Sequence, residues 1–177
     1  IDEIYKEKRI KIKKFFSLKN NVVGENFKNK ISRIRKILKT YKVDYIFISA
    51  PENVAWTLNI RGSDNPNSPM PNCRLIIGKN KEIFLIAKKE KTSNIIKERK
   101  LLINQVIDPS KFKDLISKLK GKKFIIDPLS CSILNEKIIS TKFKVINKTD
   151  PCYKLKSIKN SSEIKHMINA HIEDGVA

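Results

Sequence analysis

Cysteine, glycine and histidine are scarce in this chain, and each scarcity removes a class of function. The three cysteines, Cys73, Cys131 and Cys152, are too few and too far apart for a disulfide framework or a CxxC-type zinc site. The five glycines form no phosphate-cradling loop and no GxSxG nucleophile elbow. Apolar runs such as Tyr45–Ala50 and Ile83–Ala87 are strand-length, far short of the roughly 18 residues that span a bilayer. Residues 1–20 carry no apolar block with a small-residue cleavage site, so they do not read as a signal peptide. These absences together predict a cytoplasmic protein with free thiols and no membrane partner.

Acidic residues are also few. Eighteen Asp and Glu face 38 Lys and Arg, leaving a formal charge of +20. A basic surface attracts phosphates through counterion release, which suggests a nucleic-acid partner. The cations argue against it. Only six are Arg, the residue suited to bidentate phosphate and base contacts, and the lysines are spread along the chain rather than gathered. Lys, Ile and Asn share AT-rich codons, so coding bias accounts for the profile. A basic nucleic-acid-binding module is kept as the alternative reading.

The 177 residues, 40% hydrophobic, suffice for one domain with a sizeable core and some surplus. Residues 1–22 lack a steady period and read as a connector whose apolar residues pack on the surface of the next domain. Phe27, Ile31, Ile34, Ile37, Leu38 and Tyr41 fall at helical spacing within 25–42. Val43–Ala50 reads as a strand, and Pro51 opens a short helix, PENVAWTLN. A Pro- and Asn-rich loop over 61–72 leads to a hairpin of 74–78 and 82–87. Helical stretches come near 90–100, after Asp108-Pro109, and at 133–139, with Gly121 predicted to cap the second. Short strands are read at 105–107, 124–126 and 143–146, residues 150–158 as irregular, and a last helix from Ser161. This order predicts an α/β fold, a mixed sheet with helices on both faces. The first residue is Ile, and the last helix is still running at Ala177, which predicts a piece of a longer protein.

Chemistry is hard to find in it. Arg61-Gly62-Ser63-Asp64 sits where the short helix meets the proline-stiffened loop. Arg61 and Asp64, three apart, either pair and staple the loop, or Arg61 points into a cleft and binds an anionic group. His166 and His171 are the only histidines, beside Glu163, Glu173 and Asp174. Five residues apart, they lie roughly 140° around a helix from each other and cannot close on one ion. Trp56, between Val54 and Leu58, reads as core rather than as a ligand-stacking ring. Neither catalytic nor metal-ligating residues are assigned.

Three segments resemble a known family. APENVAWTLNIRGSDNPNSP, residues 50–69, is similar to the middle domain of cytosolic-type Xaa-Pro aminopeptidases. Residues 24–38 resemble the helix that opens that domain, and residues 155–177 resemble the opening helix of the family's catalytic domain. The departures are Thr57, where a bulkier apolar residue is common, and the lysine-rich surface. The resemblance implies a creatinase/prolidase N-terminal-domain-like fold, with 1–22 linking from an upstream domain. It implies a middle domain over 23–158 and the start of a pita-bread catalytic domain from 159. The activity it implies for the parent is removal of the N-terminal residue from peptides with proline second. Two divalent ions, usually manganese, would be held by two Asp, one His and two Glu beyond residue 177, so this fragment itself would hold no cofactor. The partners implied are the parent's own first and catalytic domains, proline-containing peptides, and a second copy in a homodimer. Arg61 and Asp64 are carried as cleft-loop or structural candidates. A creatinase-like domain whose parent has lost its metal ligands is a third reading.

Overall fold

The computed structural model of the protein describes residues 13–98 and 100–176. In chain order it contains β1 (Phe16–Ser17), α1 (Asn20–Val23), α2 (Phe27–Thr40), β2 (Tyr45–Ile48), α3 (Pro51–Leu58) and β3 (Ile60–Arg61). Next come β4 (Arg74–Gly78), β5 (Ile83–Ile86), α4 (Ser93–Lys97), β6 (Val106–Ile107), α5 (Phe112–Lys118) and β7 (Lys123–Ile126). The chain closes with α6 (Ile133–Ser140), β8 (Lys144–Asn147), α7 (Pro151–Ser157) and α8 (Ser161–Val176).

Local chemistry sets these boundaries. The Asn26 side chain accepts from Lys28 N–H at 2.9 Å and starts α2, whose apolar stripe Ile31, Ile34 and Leu38 is buried. Pro51 occupies the first turn of α3, where its missing N–H costs nothing. Asp108 and Ser132 cap the turns that open α5 and α6.

Six strands make one sheet in the order β6-β5-β4-β2-β7-β8. β4 is antiparallel to β2 and β5, and the other pairings are parallel. The sheet is mixed, as the sequence predicts. Both faces are covered, so β2 is buried along its whole length rather than alternating. On one face Ile46, Ile48, Leu75 and Ile125 pack against residues of α2, α3, α4 and α7. On the other, Tyr45, Phe47, Ile76 and Phe124 meet α5 and α6. Aromatic pairs concentrate there: Tyr45 stacks on Phe124 at 5.3 Å and Phe143 meets Phe124 edge-on at 5.2 Å.

Three expectations are corrected. The expected connector reaches the core where it is described: Phe15 is fully buried, and β1 pairs antiparallel with β3. The physical reason is that the ring is apolar and joins the core cluster that includes Ile95 of α4, while the Phe15 N–H donates to Lys91 O (2.7 Å) and holds the backbone there. Residues 1–12 of that stretch lie outside the described residues. The stretch read as irregular contains α7, capped by Asp150, which accepts from Cys152 N–H at 2.9 Å, with Pro151 in its first turn. Gly121 does not cap α5. That helix ends at Leu119 in extended backbone, and Gly121 lies beyond it with φ +151°, where a Cβ would also press on the Asp44 side chain at 3.0 Å. Thr57 is wholly buried, its hydroxyl donating to Asn53 O (2.7 Å) and lying 3.4 Å from Cys152 Sγ.

Candidate functional site

The corner between α3 and β3 gathers the sequence's most unusual residues. α3 ends because Asn59 turns left-handed (φ 53°, ψ 43°), a conformation Asn tolerates better than most residues. Its side chain is buried: Oδ1 accepts from Lys30 Nζ at 2.7 Å, and Nδ2 donates to Glu25 O at 2.8 Å. Lys30 also donates to Trp56 O (3.0 Å) and sits 4.4 Å from the centre of the Trp56 ring, with the Arg33 guanidinium at 5.6 Å. Burial lowers the Lys30 pKa to about 8, against the opposing pull of Glu163 and Glu25. Trp56 is half-buried and packs on the core, as the sequence reading has it, with cations over its ring.

From Asn59 the chain runs through Ile60 and Arg61 into the loop. Arg61 Nη1 donates back to Ile60 O at 2.9 Å, and burial lowers its pKa. Arg61 and Asp64 do not pair with each other. Gly62 N–H donates to Pro69 O and a Cβ on it would meet Pro71 Cα at 2.7 Å, so the loop folds back on itself. That turn carries Asp64 to Lys91 Nζ (2.5 Å) and to Asn72 N–H (2.6 Å). Asp64 therefore staples the loop, but to α4's approach rather than to Arg61. It also lines a concavity of about 220 Å³ beside Pro51, Met70 and Pro71. A second, of about 440 Å³, lies along Lys13, Gly62, Ser63 and Ser68, and Arg61 lines neither.

The thiols are not activated. Burial pushes Cys131 up to about 11 and raises Cys73 and Cys152 as well, the opposite of what a nucleophile requires. No group of three or more His, Cys, Asp or Glu side chains that could hold an ion occurs among the described residues. His166 and His171 are exposed on α8, and His171 Nδ1 donates to Met167 O at 2.8 Å. What the corner can do chemically is hold backbone: Lys30, Lys100 and Asn59 satisfy carbonyls and fix where β3 begins.

Sequence reasoning missed Lys30 and Asn59. Lys30 lies on the buried stripe of α2, three residues after Phe27 and four before Ile34, a position where a lysine must find acceptors inside.

The sequence profile of the creatinase/prolidase N-terminal domain matches residues 6–163. The chain belongs to that family. Within it, the chain is 32% identical to Xaa-Pro aminopeptidase 1 of Dictyostelium discoideum over 92% of its length. It is 32% identical to Xaa-Pro aminopeptidase ApepP of Drosophila melanogaster over 93%. It covers 26% and 27% of those two proteins, so this creatinase/prolidase N-terminal domain spans about a quarter of the curated relatives it matches. Its fold is that of a segment of the X-prolyl aminopeptidase of Caenorhabditis elegans, described as a cytosolic enzyme with a di-nuclear active site. That likeness has a TM-score of 0.78 and 22% identity, covering 97% of this chain and 29% of the other. No helix here is long and apolar enough to cross a membrane, among the described residues.

Proposed function

We propose that the chain is a non-catalytic domain of a metal-dependent Xaa-Pro aminopeptidase. The parent would remove the N-terminal residue from peptides with proline second. The observation that carries this reading is the match to Xaa-Pro aminopeptidases along nine-tenths of this chain but only a quarter of theirs. Paired divalent ions suit the reaction, since they acidify a bound water and polarise the scissile carbonyl. In the proposal those ions, manganese by family resemblance, are held by residues of the parent's catalytic domain, and the parent works as a cytoplasmic homodimer.

The work left to this domain is mechanical. A sheet buried on both faces makes a stiff block, and α8, with no buried residue along its length, leaves it as a bare helix. Ile164, Met167, Ile168 and Ile172 are each about half exposed on that helix, an apolar stripe that the proposal assigns to the catalytic domain. The block would hold the domains before and after it around the peptide cleft, with Asp64 keeping the proline loop in shape. The assay is direct: the 177-residue chain is incubated with manganese and a proline-containing dipeptide or tripeptide. No release of the N-terminal residue is expected, and turnover above the metal-only rate overturns the reading.

A further inference from the structure

Gly24 ends α1 in the left-handed region, φ +69°, and has a second reason to be glycine. A Cβ there would lie 2.3 Å from Asn160 Oδ1 and 2.8 Å from Ser162 Cβ. The backbone at the end of α1 thus touches the start of α8. Asn160 does two jobs across that contact. Its Oδ1 accepts from Glu163 N–H (3.0 Å) while Glu163 Oε2 accepts from Asn160 N–H (2.9 Å), a reciprocal cap on the first turn of α8. Its Nδ2 donates to Val23 O (2.9 Å), the last residue of α1. One amide therefore both starts the helix and binds it to the domain.

The tie continues inward. Glu25, next after Gly24, gives its carbonyl to Asn59 Nδ2, and Asn59 is held by Lys30 and leads into β3. Beyond its first turn α8 has nothing comparable among the described residues: it is exposed from Lys165 to Val176. A helix attached at one end takes its direction from that attachment.

We infer that Gly24 and Asn160 form a fixed joint that sets the direction in which α8 leaves the domain, in one frame with the corner at Asn59. The assignment of α8's load to a catalytic domain rests on the function proposed above; the joint itself does not. The two parts fail separately, because the joint is read from the direction of α8 and the function from peptide turnover.

The test measures that direction in the full chain. Nitroxide labels are placed at Lys36→Cys on α2 and Glu173→Cys on α8, in a Cys131→Ser background, and their separation is measured by pulsed electron spin resonance. The joint predicts one narrow distance distribution. Asn160→Asp keeps the acceptor for Glu163 N–H but loses the donor to Val23 O, so helix content holds while the distribution broadens about twofold or shifts. Gly24→Ala does the same by forcing the contact apart, and Asn160→Asp covers the case in which that variant does not fold. A broad distribution in the starting protein, or one unchanged in Asn160→Asp, overturns the joint.

Discussion

The Lys30 ammonium and the Asn59 side-chain oxygen meet at 2.7 Å inside the domain, with the ammonium over the Trp56 ring. The pair joins α2 to the end of α3 and fixes the left-handed turn from which Arg61 and the proline loop depart. A buried lysine is tolerated because it finds two acceptors inside, Trp56 O and an Asn59 Oδ1 that has no other donor among the described residues.

Lys30→Met removes the donor to Asn59 Oδ1 and leaves Trp56 O with only the Asn59 N–H at 3.3 Å. The expected loss is about 1–3 kcal/mol in urea unfolding at pH 7. The pH dependence has a definite sign. With its pKa at about 8 in the folded state against 10.5 in a free chain, Lys30 binds fewer protons folded than unfolded between those values. Stability therefore rises with pH there, and the penalty of Lys30→Met is larger at pH 10 than at pH 7. Equal penalties at the two pH values contradict the burial of this amine.

Asp44 sets the acid side. Burial alone would raise its pKa, but Lys79 Nζ (2.7 Å) and the N–H groups of Lys122 (2.7 Å) and Lys123 (3.0 Å) outweigh it and bring the value to about 2. The stabilisation is present above the ordinary carboxylate range and is lost as pH falls from about 4 towards 2. Asp44→Ala is expected to cost about 1 kcal/mol at pH 7 and clearly less at pH 2, where the carboxyl is partly protonated, measured by denaturant titration at both.

Phe15→Ala tests whether the segment before α1 belongs to the domain. The ring is fully buried, so the expected cost is about 3–5 kcal/mol in chemical denaturation, the range for emptying a large aromatic site. A cost below about 1 kcal/mol would return the segment to the surface.

Asp64→Asn removes the charge that holds the loop to Lys91. Global stability should fall by about 1–3 kcal/mol, because the pair is mostly buried and Lys91 loses its charged acceptor. Amide exchange over residues 62–72 should accelerate more than exchange in β2 and β4. Arg61→Lys, by contrast, should alter neither, since Arg61 donates only to its neighbour's carbonyl among the described residues.

Much of the sandwich is legible in the sequence because its signals are local. The stripe of α2, Pro51 at the head of α3 and the hairpin around Gly78 each arise from a few neighbouring residues. α7 carries the same Asp-Pro opening as the turn at Asp108 but only Cys152 fully buried, so its periodicity is silent. Phe15, Lys30 and Asn160 are illegible for a different reason. Their partners lie far along the chain, as with Lys30 to Trp56, 26 residues on, and Asn160 to Val23, 137 residues back, and no window of sequence shows them. Arg61 and Asp64 stand out in the sequence as an unusual pair, yet they do not meet, because the fold at Gly62 offers Asp64 a lysine 27 residues on.

The most direct test is the length of the native protein that carries this domain. An antibody raised against residues 23–158 captures it from cells, and intact mass spectrometry gives its size. The account predicts a chain about four times as long as these 177 residues, in keeping with the quarter of each relative that is matched. A native protein of 177 residues, standing alone, would contradict it.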